Sequence, residues 1–225
     1  MDDALRRSAA HVLVDDVAAP VLSDPARHHL RRVLRLRDGE AVTVTDGAGR
    51  WRSCRLSGDG IAPEDDIVVE PPNVEPLTIY VAMPKGDRAD WLVQKCTEVG
   101  VDRIVAVIAE RSVARWSGDR AARPVSRWRR IAEEAAMQAR RVRVPELDGP
   151  VAATTVLGAT AIAEPGGREL EPRDSAVAIG PEGGWSPGEL AAASDQVSLG
   201  PYVLRVETAA VVAAARMVAL RVVRP

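Results

Sequence analysis

Two glycine-bearing loops near the C-terminus hold the residues best suited to chemistry. The first, Gly180-Pro181-Glu182-Gly183-Gly184, closes an apolar run at residues 176–180. Its glycines leave the backbone bare, so that a ligand can approach closely. Ser186, Pro187 and Glu189 then supply an N-cap, a first-turn proline and a capping-box glutamate, which predict a helix. Because ligands bind at the carboxyl ends of parallel strands, this loop is a candidate site, with an ordinary strand-to-helix turn as the alternative.

The second loop, residues 199–209, again joins a predicted strand to a helix through a glycine, Gly200. Arg205 and Glu207 stand there as lone charges among apolar residues. Burying such a side chain is costly unless it is paired or used. Both residues are therefore candidates for catalysis, and a purely structural ion pair between them is the alternative.

Several enzyme classes fit the sequence poorly. All three histidines (His11, His28, His29) lie near the N-terminus, so the rest of the chain has no imidazole to activate a serine or cysteine nucleophile. A G-x-G-x-x-G fingerprint is missing, which argues against a nicotinamide enzyme or a Rossmann-type methyltransferase. Cys54 and Cys96 have no partner spacing and fit reduced core thiols, so we predict neither a disulfide nor a metal site.

Positive charge is concentrated in two stretches, although the formal net charge is only -2. Residues 103–143 contain eleven arginines and four acidic residues, a local excess of seven. A second basic stretch covers residues 27–37. Two separated basic surfaces suit an extended polyanion such as a nucleic acid, and a solvated helix face is the alternative for the first.

Nothing in the sequence indicates targeting to a membrane. The N-terminus has acidic residues before its arginines and lacks the apolar core of a signal peptide. The longest apolar run, residues 209–215, is far shorter than the roughly 18 to 20 residues that a membrane span needs. We therefore expect a cytoplasmic protein.

The first part of the chain reads as a small β-rich unit with one helix. Alternating or β-branched residues predict strands at residues 11–14, 41–46, 50–57 and 67–70, with a hairpin turn at Asp46-Gly47. Asp24 as N-cap and Pro25 begin a helix that should bury Leu30, Val33 and Leu34 and end at Gly39. The proline-rich and acidic segments at residues 63–66 and 71–76 predict a connector, with the domain boundary near residue 73.

Beyond that boundary, strands and helices alternate, which predicts a mostly parallel sheet covered on both faces. We expect strands at residues 77–83, 103–109, 160–163, 176–180 and 196–199. Helices are predicted at residues 87–99, closed by Gly100, then at 126–141 and 208–222.

The order and spacing of these features resemble one known family, the RsmE type of 16S ribosomal RNA uridine N3-methyltransferases, within the SPOUT superfamily. The resemblance covers nearly the whole chain. Its markers are HLRRVLR at residues 29–35, KGDR at 85–88, WLVQKCTEVG at 91–100, ERSVARW at 110–116, EAAMQ at 134–138 with Arg141, Arg143 and Pro145, GPEGG at 180–184, LGP at 199–201, LR at 204–205 and ETA at 207–209.

The resemblance implies a PUA-like β-barrel for RNA binding at residues 1–72, followed at residues 73–225 by an α/β SPOUT methyltransferase domain with a C-terminal trefoil knot. It implies a homodimer, S-adenosylmethionine as cofactor, and methyl transfer to N3 of a uridine in 16S ribosomal RNA within the 30S subunit. The cofactor contacts that it carries over are Gly180, Glu182, Gly183, Gly184, Leu199, Gly200, Leu204, Thr208 and Ala209.

For this reaction we expect Arg205 to stabilise negative charge on the uracil oxygens, and Glu207, or alternatively Glu182, to help remove the N3 proton. Basic side chains would hold the phosphates of the RNA, so that binding weakens with salt. These are Arg27, His29, Arg31, Arg32, Arg35, Arg111, Arg115, Arg140 and Arg141.

Four positions depart from the family pattern. Met137 and Arg140 stand where a glutamate and a glycine are usual, and these concern RNA contacts. Tyr202 and Val206 replace a frequent arginine and threonine in the pocket wall. Two other functions stay open: an RNA-binding assembly factor without catalysis, and an enzyme of small nucleotides, which would not need the β-rich unit.

Overall fold

The computed structural model describes residues 2–112 and 122–222. The chain divides into two units. The first unit takes Met1–Pro72 together with Glu133–Val144, and the second takes Asn73–Ala132 and Pro145–Pro225. A short segment from the middle of the sequence therefore belongs to the N-terminal unit.

The first unit is built on a five-stranded sheet. Its strands are β1 (Ala10–Leu13), β2 (Ala41–Thr45), β3 (Arg50–Ser57), β4 (Gly60–Pro63) and β5 (Val68–Val69). β1 runs parallel to β2, whereas β3 is antiparallel to β2, β4 and β5. Alternation of side chains places Val42 and Val44 of β2 in the core, as the strand pattern predicts. The predicted hairpin at Asp46-Gly47 is confirmed.

The helical part of this unit differs from the expectation. α1 (Asp3–Arg7) was not predicted, and α2 (Asp24–His28) is followed by a π-helical turn at His29–Val33. The N-cap is Ser23, whose Oγ accepts from the amide of Ala26 at 3.3 Å, so the assignment of Asp24 was wrong. The helix also does not continue to Gly39. Arg35 adopts a φ of 56°, which a right-handed helix does not allow, and Val33 and Leu34 are left exposed.

The segment 133–144 is tied to the strands of the first unit by specific hydrogen bonds. The Val142 carbonyl accepts from Thr45 Oγ1 at 3.0 Å. The His11 ring lies between two partners, with Nδ1 2.8 Å from Thr43 Oγ1 and Nε2 3.1 Å from the Arg141 carbonyl oxygen. Burial lowers the pKa of His11 to about 4. Met137 Sδ accepts from the Leu13 amide at 3.4 Å. These bonds satisfy polar groups of β1 and β2 that would otherwise be buried unpaired.

The second unit is built on a six-stranded parallel sheet in the order β11-β9-β10-β6-β7-β8. Its elements along the chain are β6 (Thr78–Val81), α3 (Asp87–Val99), β7 (Arg103–Ile108), α4 (Ala122–Gln138), β8 (Glu146–Ala152), β9 (Ala161–Arg168), β10 (Ala176–Ile179), α5 (Pro187–Ala192), β11 (Asp195–Val197) and α6 (Val206–Val222). α4 runs into the segment assigned to the first unit. The α/β class with a parallel sheet is confirmed.

Most elements of this unit lie where the sequence predicts them. α3 has the predicted bounds, and Gly100 ends it at a φ of 117°. α4 begins and ends earlier than expected. β8 was missed because Asp148, Gly149 and Pro150 interrupt any strand pattern; a proline is tolerated there since β8 lies at the edge of the sheet.

The strand order reverses direction between β6 and β10. From β6 the chain proceeds through β7 and β8 toward one edge, whereas β10 and β9 lie on the other side of β6. Loops that leave adjacent parallel strands in opposite directions open a space at their carboxyl ends. α6 packs against α3, β6 and β10 and so closes one face of this region.

Candidate functional site

A cavity of about 400 Å³ lies at the carboxyl ends of β10 and β11 and beside the middle of β9. We name residues 180–186 the first pocket loop and residues 199–205 the second pocket loop. Both line the cavity, together with residues 163–165 of β9 and the first turn of α6. The lining residues are Ala163, Glu164, Pro165, Ile179, Gly180, Pro181, Glu182, Gly184, Trp185, Leu199, Gly200, Tyr202, Val203, Leu204, Arg205, Val206 and Ala209.

The structure brings together most of the residues expected to contact a cofactor. Those that line the cavity are Gly180, Glu182, Gly184, Leu199, Gly200, Leu204 and Ala209. Gly183 belongs to the first pocket loop and Thr208 to the first turn of α6, but neither is part of the lining. Sequence reasoning missed Trp185 and the residues around Glu164. The latter were missed because the predicted strand stopped at residue 163, whereas β9 continues to Arg168.

Tight packing holds the first pocket loop. A Cβ added to Gly180 would lie 2.9 Å from the buried ring of Trp185, so only glycine fits against this ring. Gly184 has a φ of 70°, in the left-handed region that favours glycine, and its amide donates to the Pro181 carbonyl at 2.9 Å. The chain therefore turns sharply with its backbone facing the cavity.

Two charged residues brace this loop from outside. Arg111 Nη1 donates to the carbonyls of Gly183 at 3.2 Å and Trp185 at 3.3 Å. The buried carboxylate of Glu189 accepts from the Ser186 amide at 2.9 Å and from the Glu110 amide at 2.8 Å. The predicted capping box of Ser186 and Glu189 is confirmed. The same glutamate also links α5 to the residues after β7, a role that sequence did not indicate.

The second pocket loop is held near its start and at its end, where the Arg205 carbonyl accepts from the Ala209 amide at 2.8 Å. Ser198 Oγ lies 3.2 Å from the Gly200 carbonyl, and Arg216 Nη1 donates to the Ser198 carbonyl at 3.0 Å. Farther along, Tyr202 and Val203 are 81% and 88% exposed. Tyr202 and Val206, the two residues that depart from the family pattern in the pocket wall, both line the cavity. Tyr202 is exposed and Val206 is buried.

The two candidate catalytic residues occupy different surroundings. Arg205 is exposed and lines the cavity, and its guanidinium forms no ion pair with the residues that the structure describes. Glu207 is buried, outside the lining, and its Oε2 lies 3.9 Å from Nη1 of Arg88. The alternative of a structural Arg205–Glu207 ion pair is therefore wrong. The cation near Glu207 is Arg88 instead.

The basic residues fall into both units. In the first unit His29, Arg32 and Arg35 are exposed. Arg27 lies 3.4 Å from Asp24, and Arg31 donates to the Leu36 carbonyl at 2.9 Å and pairs with Asp38.

Arg140 and Arg141 belong to the first unit as well. Arg140 has a φ of 59°, which explains why a glycine suits this position, and its guanidinium donates to the Ser8 carbonyl at 2.7 Å. Arg111 lies in the second unit, and Arg115 lies outside the described residues.

Cys54 and Cys96 are free and buried. Burial raises the pKa of Cys54 to about 11 and that of Cys96 to about 12, so both thiols stay protonated and unreactive. Within residues 2–112 and 122–222, no three His, Cys, Asp or Glu side chains cluster as a metal ion would require. Over the same part of the chain, no helix is long and apolar enough to cross a membrane.

Comparison with known proteins identifies the family. A model of the RNA methyltransferase domain matches residues 70–218, and one of the RNA methyltransferase PUA domain matches residues 22–60. "Ribosomal RNA small subunit methyltransferase E" of Mycobacterium tuberculosis is 34% identical over 89% of this chain and 86% of its own length. The Bacillus subtilis protein of that name is 29% identical over 81% of this chain and 82% of its own.

Solved structures agree with this assignment. A ribosomal RNA small subunit methyltransferase E from Neisseria gonorrhoeae, bound to S-adenosyl methionine, is 28% identical with a TM-score of 0.78 over 94% of this chain and 97% of its own. A putative methyltransferase from Legionella pneumophila, in complex with the same cofactor, is 29% identical with a TM-score of 0.77 over 95% and 98% of the two chains. This chain belongs to the RNA methyltransferase family that includes the ribosomal RNA small subunit methyltransferase E proteins.

Proposed function

We propose that this protein transfers a methyl group from S-adenosylmethionine to N3 of a uridine in 16S ribosomal RNA. The observation that carries the proposal is the cavity between the two pocket loops, in a chain whose relatives are named for this RNA and include structures holding the cofactor. A cavity of about 400 Å³ falls in the usual range of about 300 to 1,000 Å³ for small-molecule sites.

The residues present fit the cofactor. Gly180 and Gly184 expose backbone to the cavity, and Ile179, Leu199 and Val206 provide apolar walls for an adenosyl group. Trp185 Nε1 is buried and has no hydrogen-bond acceptor among the described residues, as expected of a donor that a ligand would satisfy. The carboxylates of Glu164 and Glu182 complement the positive charge of a sulfonium and an ammonium group.

The chemistry assigns separate tasks to the side chains. When bound, S-adenosylmethionine supplies an electrophilic methyl group; the C–S bond breaks with its electron pair kept on sulfur while the N3–C bond forms. Arg205, at the cavity wall, stabilises the negative charge that develops on the uracil oxygens as N3 reacts. A carboxylate accepts the N3 proton. Glu182 is better placed than Glu207 for this step, since Glu182 lines the cavity and Glu207 does not.

RNA binding is proposed for residues 1–72, which form most of the first unit, as the RNA-binding domain, with residues 73–225 as the methyltransferase domain. Exposed His29, Arg32 and Arg35 are the side chains best placed for phosphates, and Arg27, Arg31, Arg111, Arg115, Arg140 and Arg141 complete the proposed set. Arg31 and Arg140 already serve hydrogen bonds within the unit. A uracil must present its N3 edge, so a base in a loop or pulled out of a stack is the expected target.

We further propose a homodimer through the methyltransferase domain, a trefoil knot around the two pocket loops, and a cytoplasmic site of action on the 30S subunit. Exposed apolar side chains beside the cavity, Tyr202 and Val203, support a second copy at this face. Light scattering at several protein concentrations tests the dimer.

One experiment tests the reaction. The protein is incubated with methyl-labelled cofactor and small ribosomal subunits that lack the modification, and the labelled nucleotide is mapped by mass spectrometry. We expect one labelled uridine carrying the methyl on N3, and less label on free 16S RNA. Label on another atom, or tight RNA binding without saturable cofactor binding by calorimetry, would contradict the proposal; the second result would favour a non-catalytic assembly factor.

A further inference from the structure

Arg88 connects the two carboxylates that compete for the role of base. It is the second residue of α3, and its Nη1 lies 3.3 Å from Oε1 of Glu182 and 3.9 Å from Oε2 of Glu207. Glu182 belongs to the first pocket loop, and Glu207 to the first turn of α6. One guanidinium therefore joins α3, the cavity wall and α6.

The burial of the three side chains differs in a way that assigns their roles. The Glu207 side chain is 11% exposed, and its buried Oε2 receives no hydrogen bond from the described part of the chain. A buried carboxylate is costly unless a cation compensates its charge, and Nη1 of Arg88 lies 3.9 Å from this one. The Glu182 side chain is 39% exposed and lines the cavity, and the Arg88 side chain is 44% exposed.

We propose that Arg88 is a positioning residue that holds the Glu182 carboxylate at the cavity wall for proton removal, with buried Glu207 as the anchor of Arg88 rather than the base. The inference rests on the proposed methyl transfer. It follows from geometry: Glu182 lines the cavity, Glu207 does not, and Nη1 of Arg88 lies within 4 Å of both carboxylates.

A purely structural ion pair would behave differently. Half-exposed pairs contribute little to stability, so their removal leaves turnover nearly unchanged once the protein is folded. A positioning role instead lowers kcat while KM and cofactor affinity stay close to wild type, because the base is misplaced in the bound complex.

The test compares Arg88→Ala, Arg88→Gln and Arg88→Lys with Lys95→Ala, which removes a cation paired with Glu98 on the same helix. Methyl transfer to small subunits gives kcat and KM, and calorimetry gives the dissociation constant of S-adenosylmethionine. We expect Arg88→Ala and Arg88→Gln to lower kcat by roughly tenfold to a hundredfold, as misplacement of a general base should. Lysine should restore most of the loss, and Lys95→Ala should match the wild type.

A double-mutant cycle identifies the carboxylate through which Arg88 acts. In a Glu182→Gln background, Arg88→Gln should lower kcat little further, and Glu207→Gln alone should reproduce the Arg88 defect. Unchanged kcat in the folded Arg88→Gln enzyme, or the same fold-loss with and without Glu182, would overturn the inference. A wild-type protein that transfers no methyl would instead refute the proposed function, so the two failures are distinguishable.

Discussion

The two pocket loops face one cavity but are stabilised in opposite ways. The first pocket loop packs Trp185 into the core and is braced by Arg111 and Glu189. The second pocket loop leaves Tyr202, Val203 and Arg205 exposed. The difference teaches that one wall is preorganised, which lowers the entropic cost of binding a cofactor. The other wall presents exposed side chains and is not braced in the same way.

Because the second pocket loop is the exposed one, we expect catalysis to depend most on its side chains. Arg205→Ala should reduce kcat by about 100- to 1,000-fold, as the loss of one group that stabilises developing charge does, while cofactor affinity stays near the wild-type value. Methyl transfer and calorimetry measure the two quantities. Arg173→Ala, which removes an exposed arginine paired with Glu171, is the control. Wild-type turnover of Arg205→Ala would contradict the expectation that catalysis depends most on the second pocket loop.

Stability should depend most on the braced loop. Glu189→Gln keeps the size of the side chain but replaces one acceptor oxygen with an NH₂ group that faces an amide donor. Since hydrogen bonds to a charged group are each worth about 1.5 to 3 kcal/mol, the free energy of unfolding should fall by about 3 kcal/mol. Urea denaturation measures this, with Glu171→Gln at the surface as control. A loss close to zero would mean that the first loop is not braced by this carboxylate.

The backbone conformation of Gly184 should contribute less to the free energy of unfolding than the Glu189 carboxylate does. Gly184→Ala places a side chain at a φ of 70° and should cost about 1 to 2 kcal/mol in unfolding free energy and weaken cofactor binding. Gly188→Ala in α5 is the matched control, because its added Cβ would meet only Ser186 Oγ at 3.9 Å. Helix propensity predicts a gain of about 0.5 to 1 kcal/mol for this control. Equal changes in unfolding free energy for both substitutions would show that the positive φ of Gly184 does not require glycine.

The smallest effect is expected at the exposed tip of the second pocket loop. Tyr202→Ala should change the unfolding free energy of the isolated chain by less than about 0.5 kcal/mol, as surface substitutions generally do. Denaturation at dilute protein concentration tests this. A larger loss that grows with protein concentration would indicate that a second copy covers Tyr202.

Local signals made part of the fold predictable. Ser186, Pro187 and Glu189 form the expected cap, because each signal acts within one helical turn. Gly100 closes α3 at the expected residue for the same reason. Where the local signal was ambiguous the prediction was wrong: Val33 and Leu34 repeat at a helical spacing, yet only Leu30 is buried in the core.

Long-range pairing was not predictable in this way. No local pattern shows that residues 133–144 bond to β1 and β2, because their partners lie about a hundred residues away in the sequence. The brace from Arg111 to the first pocket loop also joins residues far apart in the sequence, 72 positions in this case.

The sequence by itself determined the α/β class, the two loops that line the cavity and the family resemblance, since glycines, caps and periodic apolar residues act over a few residues. Only the tertiary structure decided that Glu207 is buried beside Arg88 whereas Glu182 and Arg205 line the cavity. The physical reason is that the surroundings of a charged side chain depend on which strands become neighbours, and the order β10-β6 is set by packing of the whole sheet rather than by adjacent residues.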